Sequence, residues 1–340
     1  MTKTAKAPKV YLARLDKIGD LVCTLGADQA LSSFEVTWVV QPALEFLIVA
    51  SEPSRRAIFF EKKKSWQSFR RMIREFRRER PLAVISFQAP WWFSAAAFFA
   101  RVPERWGVRS QWHSFLFLNA GVRQRRSSAD QHESQYNQDL VNSFLQKRGA
   151  GAQSYVQLRL RSEQATLSFP GRYVVVHPGM AGSARNWSTE RYSEFITLLL
   201  RETKDLKVLI TGTAPDAEFV DPLLEKFGEE PRVLSGKGRF SSAQLLSVLK
   251  GAQFVVAPST GVLHLAAALG VANYGVYSPI RVQRAVRWRA LGDRSFYLEP
   301  AVNCPAEKIC LGKACLLFDC MNLMTAEKLL TNIRLNGDLA

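Results

Sequence analysis

No apolar run of about 18 residues, the length a bilayer-crossing helix requires, occurs anywhere in the chain. The opening MTKTAKAPKVYLARLDK lacks the apolar stretch of a secretory signal, so none is expected. Cysteine is scarce, at five in 340 residues. That excludes a disulfide scaffold and points to a reducing, cytoplasmic setting. Cys304, Cys310, Cys315 and Cys320 fall near the end of the chain, yet no two form a C-x-x-C pair and no histidine lies nearby. Reduced structural thiols are therefore favoured over a zinc site. No paired-acid metal motif is evident either, and no obligatory divalent ion is expected.

Acidic residues are also short: 30 Asp/Glu face 46 Lys/Arg, for a net charge of +16. The imbalance is lopsided, with 26 Lys/Arg against 14 Asp/Glu in residues 1–165 and 20 against 16 in the remainder. Such an excess suits an anionic partner: nucleic acid, acidic lipid or a phosphorylated substrate. Its densest part, Arg55 to Arg80, holds 11 Lys/Arg and 3 acids. Within it Trp66, Phe69, Ile73 and Phe76 recur at helical spacing, which predicts a helix with one apolar stripe among Arg-rich faces. Arg70, Arg71, Arg74 and Arg77 on those faces are candidates to hold an anionic acceptor or a membrane surface, set against an ordinary surface helix packed by its stripe. No recognised nucleic-acid module accompanies the charge, so nucleic acid is not the expected partner. A second apolar island, APWWFSAAAFF (89–99), is too short to span a membrane.

What is abundant is alternation of strand-like and helix-like segments. VYLARL (10–15), VTWVV (36–40) and LAVISF (82–87) read as buried strands, and the first is followed by a Gly-containing loop and a helix. HESQYNQDLVNSFLQKRG (132–149) reads as a helix ending at Gly149. After a polar stretch the order restarts: RYVVVHPG, ERYSEFITLLL, KVLITG, APDAEFVDPLLEKFG, SSAQLLSVLKGA with a Ser cap, then QFVVAP. This predicts an α/β protein of two doubly wound, Rossmann-like domains with a cleft between them, 1–168 and 169–325. Residues 326–340 read as a tail packing back on the first domain.

Three loops offer chemistry. In VVAPSTGVLHLAAALG (255–270) a strand hands over to a helix whose N-terminus favours an anion. There Gly261 removes a Cβ, Thr260 adds a hydroxyl, and His264 sits one turn in; the alternative is a capped helix with a core histidine. In HPGMAGSARNWSTERY (177–192) small residues at 179–184 keep the backbone open. Arg185 offers a forked donor to a diphosphate, or is solvated beside a structural Trp187. In RLDKIGDLVCT (14–24) Asp20 serves as an N-cap or as a general base, with Asp16 the competing carboxylate.

Taken in order, KVYLARLDKIGDLVCTLGADQAL, HESQYNQDLV, VVVHPG with ARNWSTERYSEF, LITGTAPDAEF, LLSVLKGAQFVVAPSTGVLHLAAALG and the Cys-containing tail ending CMNLMTAEKLL resemble glycosyltransferase family 9, the lipopolysaccharide heptosyltransferases. The resemblance covers most of the chain and is weak from 41 to 130. It implies a GT-B fold: an N-terminal acceptor domain and a C-terminal domain for a nucleotide sugar, usually ADP-heptose. It further implies an inverting transfer onto a lipopolysaccharide inner core at the cytoplasmic face of the inner membrane. Asp20 matches the family's proposed base, Arg185 its basic residue before the Trp, and Thr260, Gly261 and His264 its phosphate-binding group. Ser259 stands where the family usually has Asp, which leaves the donor sugar open. Asp216 and Glu218 are the acidic candidates for the nucleoside, and Phe240 for the adenine. A transferase using another nucleotide sugar and a non-catalytic nucleotide- or nucleic-acid-binding relative are the alternatives.

Overall fold

The structure, a computed structural model, describes residues 6–110, 112–162, 171–180, 182 and 184–339. The chain divides into two compact units: Met1–Arg126 with Glu133–Leu158, and Ser127–His132 with Arg159–Ala340. The boundary expected at 168–169 lies outside the described residues. In the structure the second unit already includes Arg159 and also takes in 127–132, where His132 Nε2 hydrogen-bonds the Arg289 carbonyl (2.8 Å).

The strands of the first unit are β1 (Lys9–Ala13), β2 (Glu35–Val40), β3 (Ser51–Glu52), β4 (Ala57–Phe59), β5 (Ala83–Ser86), β6 (Glu104–Val108) and β7 (Ala120–Val122). Six of them form one sheet in the order β4-β2-β1-β5-β6-β7, every neighbouring pair parallel. The two-residue strands β3 and β8 (Arg159–Leu160) lie outside the large sheets. The second unit repeats the arrangement with β9 (Tyr173–Val176), β10 (Lys207–Ile210), β11 (Val233–Ser235), β12 (Phe254–Pro258), β13 (Ala272–Val276) and β14 (Ser295–Leu298). Their order is β11-β10-β9-β12-β13-β14, again all parallel. Both sheets thus run 3-2-1-4-5-6 in their own chain order, the dinucleotide-fold arrangement. Each changes winding direction between its first and fourth strands.

Parallel strands with helices on both faces are buried on both sides, and so read as continuous apolar runs. Val10–Ala13, Ala83–Ser86, Tyr173–Val176 and Phe254–Pro258 are each buried throughout. The helices of the first unit are α1 (Ile18–Leu25), α2 (Glu45–Ala50), α3 (Trp66–Glu79), α4 (Trp91–Phe99), α5 (Trp112–Phe117) and α6 (Glu133–Gln146). Those of the second are α7 (Thr189–Glu202), α8 (Ala217–Lys226), α9 (Ser242–Gly251), α10 (Gly261–Ala268), α11 (Ala285–Trp288) and α12 (Ala326–Leu335). Ser65, Ser188, Ser241 and Thr325 cap α3, α7, α9 and α12 by accepting from backbone N–H groups. The Ser cap that opens SSAQLLSVLKGA is a full capping box, with Gln244 reaching back to Ser241.

One expectation changes. LVCTLGADQALSS is not one helix: α1 ends at Leu25 and continues as a 3₁₀ segment, Gly26–Leu31. The tail expected at 326–340 forms α12, whose apolar face is part of the second unit's core. Ala326, Leu329, Leu330 and Ile333 recur at helical spacing and are buried in the core of the second unit with Phe195 and Leu199 of α7. Trp187 Nε1 donates to the Met324 carbonyl (2.7 Å) just ahead of α12 and fixes its entry.

Two histidines are buried in this unit. Burial pushes His264 down to about 3, with the charge of His132 adding to the effect. Burial pushes His177 down to about 4, with Asp216 opposing. Both imidazoles are neutral in the folded protein, while the unfolded chain protonates them near pH 6.5. Between these values the unfolded state binds more protons, so their contribution is fully present above pH 6.5 and is lost as pH falls towards 4. Thermal melts should therefore show a falling midpoint from pH 7 to pH 5, and His264→Gln should flatten that slope. Leu329→Ala, a deletion in the α12 contact, should cost about 2–5 kcal/mol of stability in the second unit, read by denaturant unfolding.

Candidate active site

In an open parallel sheet the ligand side is the carboxyl edge, at the point where winding reverses. In the first unit that point lies between β1 and β5, whose Ala13 and Ser86 are aligned. The chain leaves β1 into Arg14, Asp16 and then α1. Lys17 is the N-cap of α1, and Asp20 stands in its first turn, where a carboxylate complements the helix dipole. Asp20 is therefore not the cap. Its carboxylate accepts from the Arg14 guanidinium and remains 20% exposed.

Arg14 itself is sealed from water and is the centre of a charge cluster. Its Nε lies 3.0 Å from Asp16, and its Nη1 donates at 3.5 Å to Glu133 of α6. Arg126 pairs with the same Glu133 and donates to Asn137 Oδ1 (3.1 Å). Lys62 pairs with Asp16 from solvent. Three cations thus meet three carboxylates, Asp16, Asp20 and Glu133. Burial alone would lower the Arg14 pKa, but Asp20, Glu133 and Asp16 more than offset it and the net direction is up. Asn137 Nδ2 donates to Thr24 Oγ1 (2.9 Å) and to the Cys23 carbonyl (3.1 Å), fastening α6 to α1 and so fixing Glu133 against Arg14. The sequence reading missed Arg14, Arg126 and Glu133 as members of the site. The available signals were an arginine ending an apolar strand and the i,i+4 spacing of Glu133 and Asn137.

In the second unit Val176 of β9 is aligned with Ile210 and Val256, and Ile210 with Ser235. One residue further, His177, Thr211, Gly236 and Ala257 therefore lie together at the carboxyl edge. His177 Nδ1 is hydrogen-bonded to Thr211 Oγ1 (2.9 Å). Beyond β12, Ser259 and Thr260 are half-buried. Thr260 is the N-cap of α10 in an extended conformation, and its hydroxyl makes no capping bond. Helix geometry leaves the first-turn N–H groups of α10 without intrahelical acceptors, although the Leu263 N–H turns back to the Thr260 carbonyl (3.2 Å). Gly261 opens the helix, and the neutral His264 lies buried one turn in.

The remaining candidates separate. Asp216 is buried, and one oxygen accepts from the Thr213 N–H (2.9 Å) and hydroxyl (2.7 Å). Through that oxygen it acts as a capping group for the turn that leads into α8. A Cβ at Gly179 would come within 2.2 Å of its Cγ, so the His177–Gly179 turn needs glycine to pass this carboxylate. Glu218 is exposed on the first turn of α8. Phe240 is half-buried, its ring held over Gly236, where a Cβ would meet it at 2.8 Å. That places Phe240 at the same edge as His177 and Thr211.

The loop before α7 is built around Asn186 and Trp187. Asn186 donates to the Pro178 carbonyl (2.6 Å) and accepts from the Trp187 N–H (2.7 Å) and the Tyr192 hydroxyl (3.0 Å). Trp187 is buried as a structural group. Ala181 and Ser183 of this loop lie outside the described residues. Arg185 turns towards the cysteine tail: it pairs with Asp319 (2.5 Å), donates to Cys310 Sγ (3.1 Å) and lies 4.9 Å over the Phe318 ring. Burial lowers its pKa, and the Asp319 bond and charge reverse the direction to a net rise. The four tail cysteines and Arg185 line one small cavity. Among the described residues no group of three or more His, Cys, Asp or Glu side chains is placed to hold a metal ion. Arg70, Arg71, Arg74 and Arg77 lie on exposed faces of α3.

The pattern of glycosyltransferase family 9 (heptosyltransferase) matches residues 69–309. A Haemophilus influenzae protein assigned provisionally as a glycosyltransferase is 27% identical over 310 residues, covering 84% of this chain and 86% of its own. The crystal structure of a family 9 glycosyl transferase from Veillonella parvula superposes with a TM-score of 0.76 at 17% identity, covering 98% of this chain and 97% of the other. That of the E. coli ADP-heptose lipopolysaccharide heptosyltransferase II gives 0.75 at 18% identity, covering 97% and 98%. At these identities the two structures show the fold, GT-B with paired Rossmann-like units. With the family pattern spanning well over half of its length, the chain belongs to glycosyltransferase family 9 and is a glycosyltransferase.

Proposed function

We propose that this glycosyltransferase moves a heptose from ADP-heptose, with inversion, onto an anionic lipid-linked saccharide of the lipopolysaccharide inner core. The work would take place at the cytoplasmic face of the inner membrane. The observation that carries the reading is the Asp20 carboxylate: it stands at the winding reversal of the first sheet, partly open to solvent and oriented by a buried guanidinium. The donor assignment is supported by the likeness to a protein described as an ADP-heptose heptosyltransferase.

In this mechanism Asp20 accepts the proton of an acceptor hydroxyl as its oxygen attacks the anomeric carbon. The bond from that carbon to the diphosphate oxygen breaks, and ADP leaves with the negative charge. The α10 amides near Thr260 and Gly261 stabilise that charge, the term that usually dominates such catalysis. Arg185 joins them after exchanging Asp319 for phosphate. His264, neutral at working pH, contributes as a hydrogen-bonding group and adds no cation. Phe240 receives the base, and Glu218 is the acidic group left for the ribose. No obligatory divalent ion is assigned.

Ser259 favours one second reading, in which the same fold takes a different nucleotide sugar. A thermal-shift panel of ADP-, UDP-, GDP- and CMP-sugars decides between them: stabilisation by ADP-heptose alone supports the first, and preference for another nucleotide overturns it. Asp20→Ala should reduce turnover by orders of magnitude while ADP still binds, measured by calorimetry; near-normal transfer removes Asp20 as the base. Asp319→Asn should tighten ADP binding several-fold by freeing Arg185, and Arg185→Ala should weaken it. Unchanged affinity in both variants would place the diphosphate elsewhere.

A further inference from the structure

The first unit carries a face that its own core does not explain. α3 turns Phe69, Met72 and Phe76 inward against Trp92 and Phe93 of α4, which accounts for the apolar stripe. Yet a second set of aromatic rings points outward. Trp66 is 59% exposed, Trp112 66% and Phe115 60%, with Phe99 and Leu116 similarly open. These rings are continuous across three helices. Trp66 stacks on Phe69 (5.7 Å), Phe69 meets Phe99 (6.2 Å), and Phe99 meets Phe98 (5.5 Å). Phe98 meets Phe117 (5.8 Å), Phe117 meets Trp91 (6.4 Å), and Trp91 meets Trp112 (6.5 Å). A groove of about 810 Å³ runs along the strip, floored by Phe69, Ile73, Ala95 and Phe117.

The rim of this strip is cationic. Lys64 lies 4.6 Å over the Trp91 ring and Arg70 lies 5.1 Å over Trp66, so both cations stand at the ring faces. Arg74 and Arg77 line the same groove. The acids of α3 are already engaged elsewhere: Glu75 with Arg78 and Tyr11, and Glu79 with Lys9 and Arg78. Among the described residues Lys64, Arg70 and Arg74 have no ion-pair partner.

We propose that this face of α3, α4 and α5 docks on an anionic phospholipid bilayer, with Trp66, Trp112 and Phe115 entering the headgroup–acyl boundary and Lys64, Arg70 and Arg74 meeting lipid phosphates. Charge complementarity selects this occupant. A ring-lined surface with unneutralised cations at its edge matches an interface that is apolar below and anionic above. Indole rings in particular settle at that depth. No helix among the described residues is long and apolar enough to cross a membrane, so the attachment is peripheral. The inference deepens the lipid-linked acceptor of the proposed function, but vesicle binding requires neither donor nor turnover. Its failure leaves the transfer chemistry standing, and failure of transfer with intact vesicle binding sinks only the chemistry.

The test is co-sedimentation of the full chain with phosphatidylglycerol/phosphatidylethanolamine vesicles and with neutral phosphatidylcholine vesicles. Binding to the anionic vesicles should be at least tenfold stronger and should weaken with added salt. Trp66→Ser with Trp112→Ser should lower it a further tenfold or more, with an unchanged melting midpoint because both rings are exposed. Arg70→Gln with Arg74→Gln should remove the anionic preference while leaving the residual apolar affinity. Equal binding to both vesicle types overturns the proposal. So does a lipid-independent dimer, seen by analytical ultracentrifugation, that the Trp66/Trp112 variant dissociates, since the face would then belong to a second copy of the chain.

Discussion

Parallel pairing is the constraint from which this molecule follows. A strand in a parallel sheet cannot turn back on its neighbour; it must cross over through a helix and re-enter at the same end. Each crossover carries the chain from a strand's carboxyl end into a helix N-terminus, so loops and helix starts collect along one edge. Here that happens twice, with the same strand order in both units. Asp20 on α1 and Thr260–Gly261 on α10 occupy equivalent types of position: each opens the helix that follows a strand flanking its sheet's winding reversal.

Within that frame the chemistry is set by how charges are held. Arg14 is a cation that water does not reach, and its three carboxylates are what make it tolerable. Removing one partner of such a cluster leaves uncompensated charge, at about 3–5 kcal/mol for a buried pair. Of the three, Glu133 is wholly enclosed, whereas Asp16 and Asp20 each keep a face towards solvent. Exposure therefore separates Glu133, which serves only to hold the arginines, from the two aspartates, which hold Arg14 and also reach solvent. Arg185 shows the same economy of charge in the second unit. Its guanidinium is engaged by Asp319, Cys310 and Phe318, so the cysteine tail acts on the loop before α7 through an arginine.

The basic excess of the first 165 residues acquires a location in the fold. Part of it neutralises internal acids, as with Arg14, Arg55 on Asp28, and Arg126. Another part, on α3 and the segment before it, remains unpaired beside exposed rings. A charge count alone cannot separate these fates, because an arginine sealed against carboxylates and one standing in solvent contribute equally to the net charge.

The sequence by itself determined the alternating strand–helix plan, since burial on both faces of a parallel sheet demands unbroken apolar strands such as VVV and FVVA, and these are visible locally. It also determined which loops follow those strands, and so pointed to Asp20, Thr260 and Gly261. The short edge strands β4, β7, β11 and β14 were illegible, because each is only three or four residues long and only partly buried. Tertiary structure alone decided that α12 belongs to the second core, that Asp216 is a cap, and that Arg14 is ringed by Asp16, Asp20 and Glu133. Glu133 lies 119 residues beyond Arg14 in the chain. No local pattern encodes a contact over that separation; it exists only once α6 is fastened beside α1.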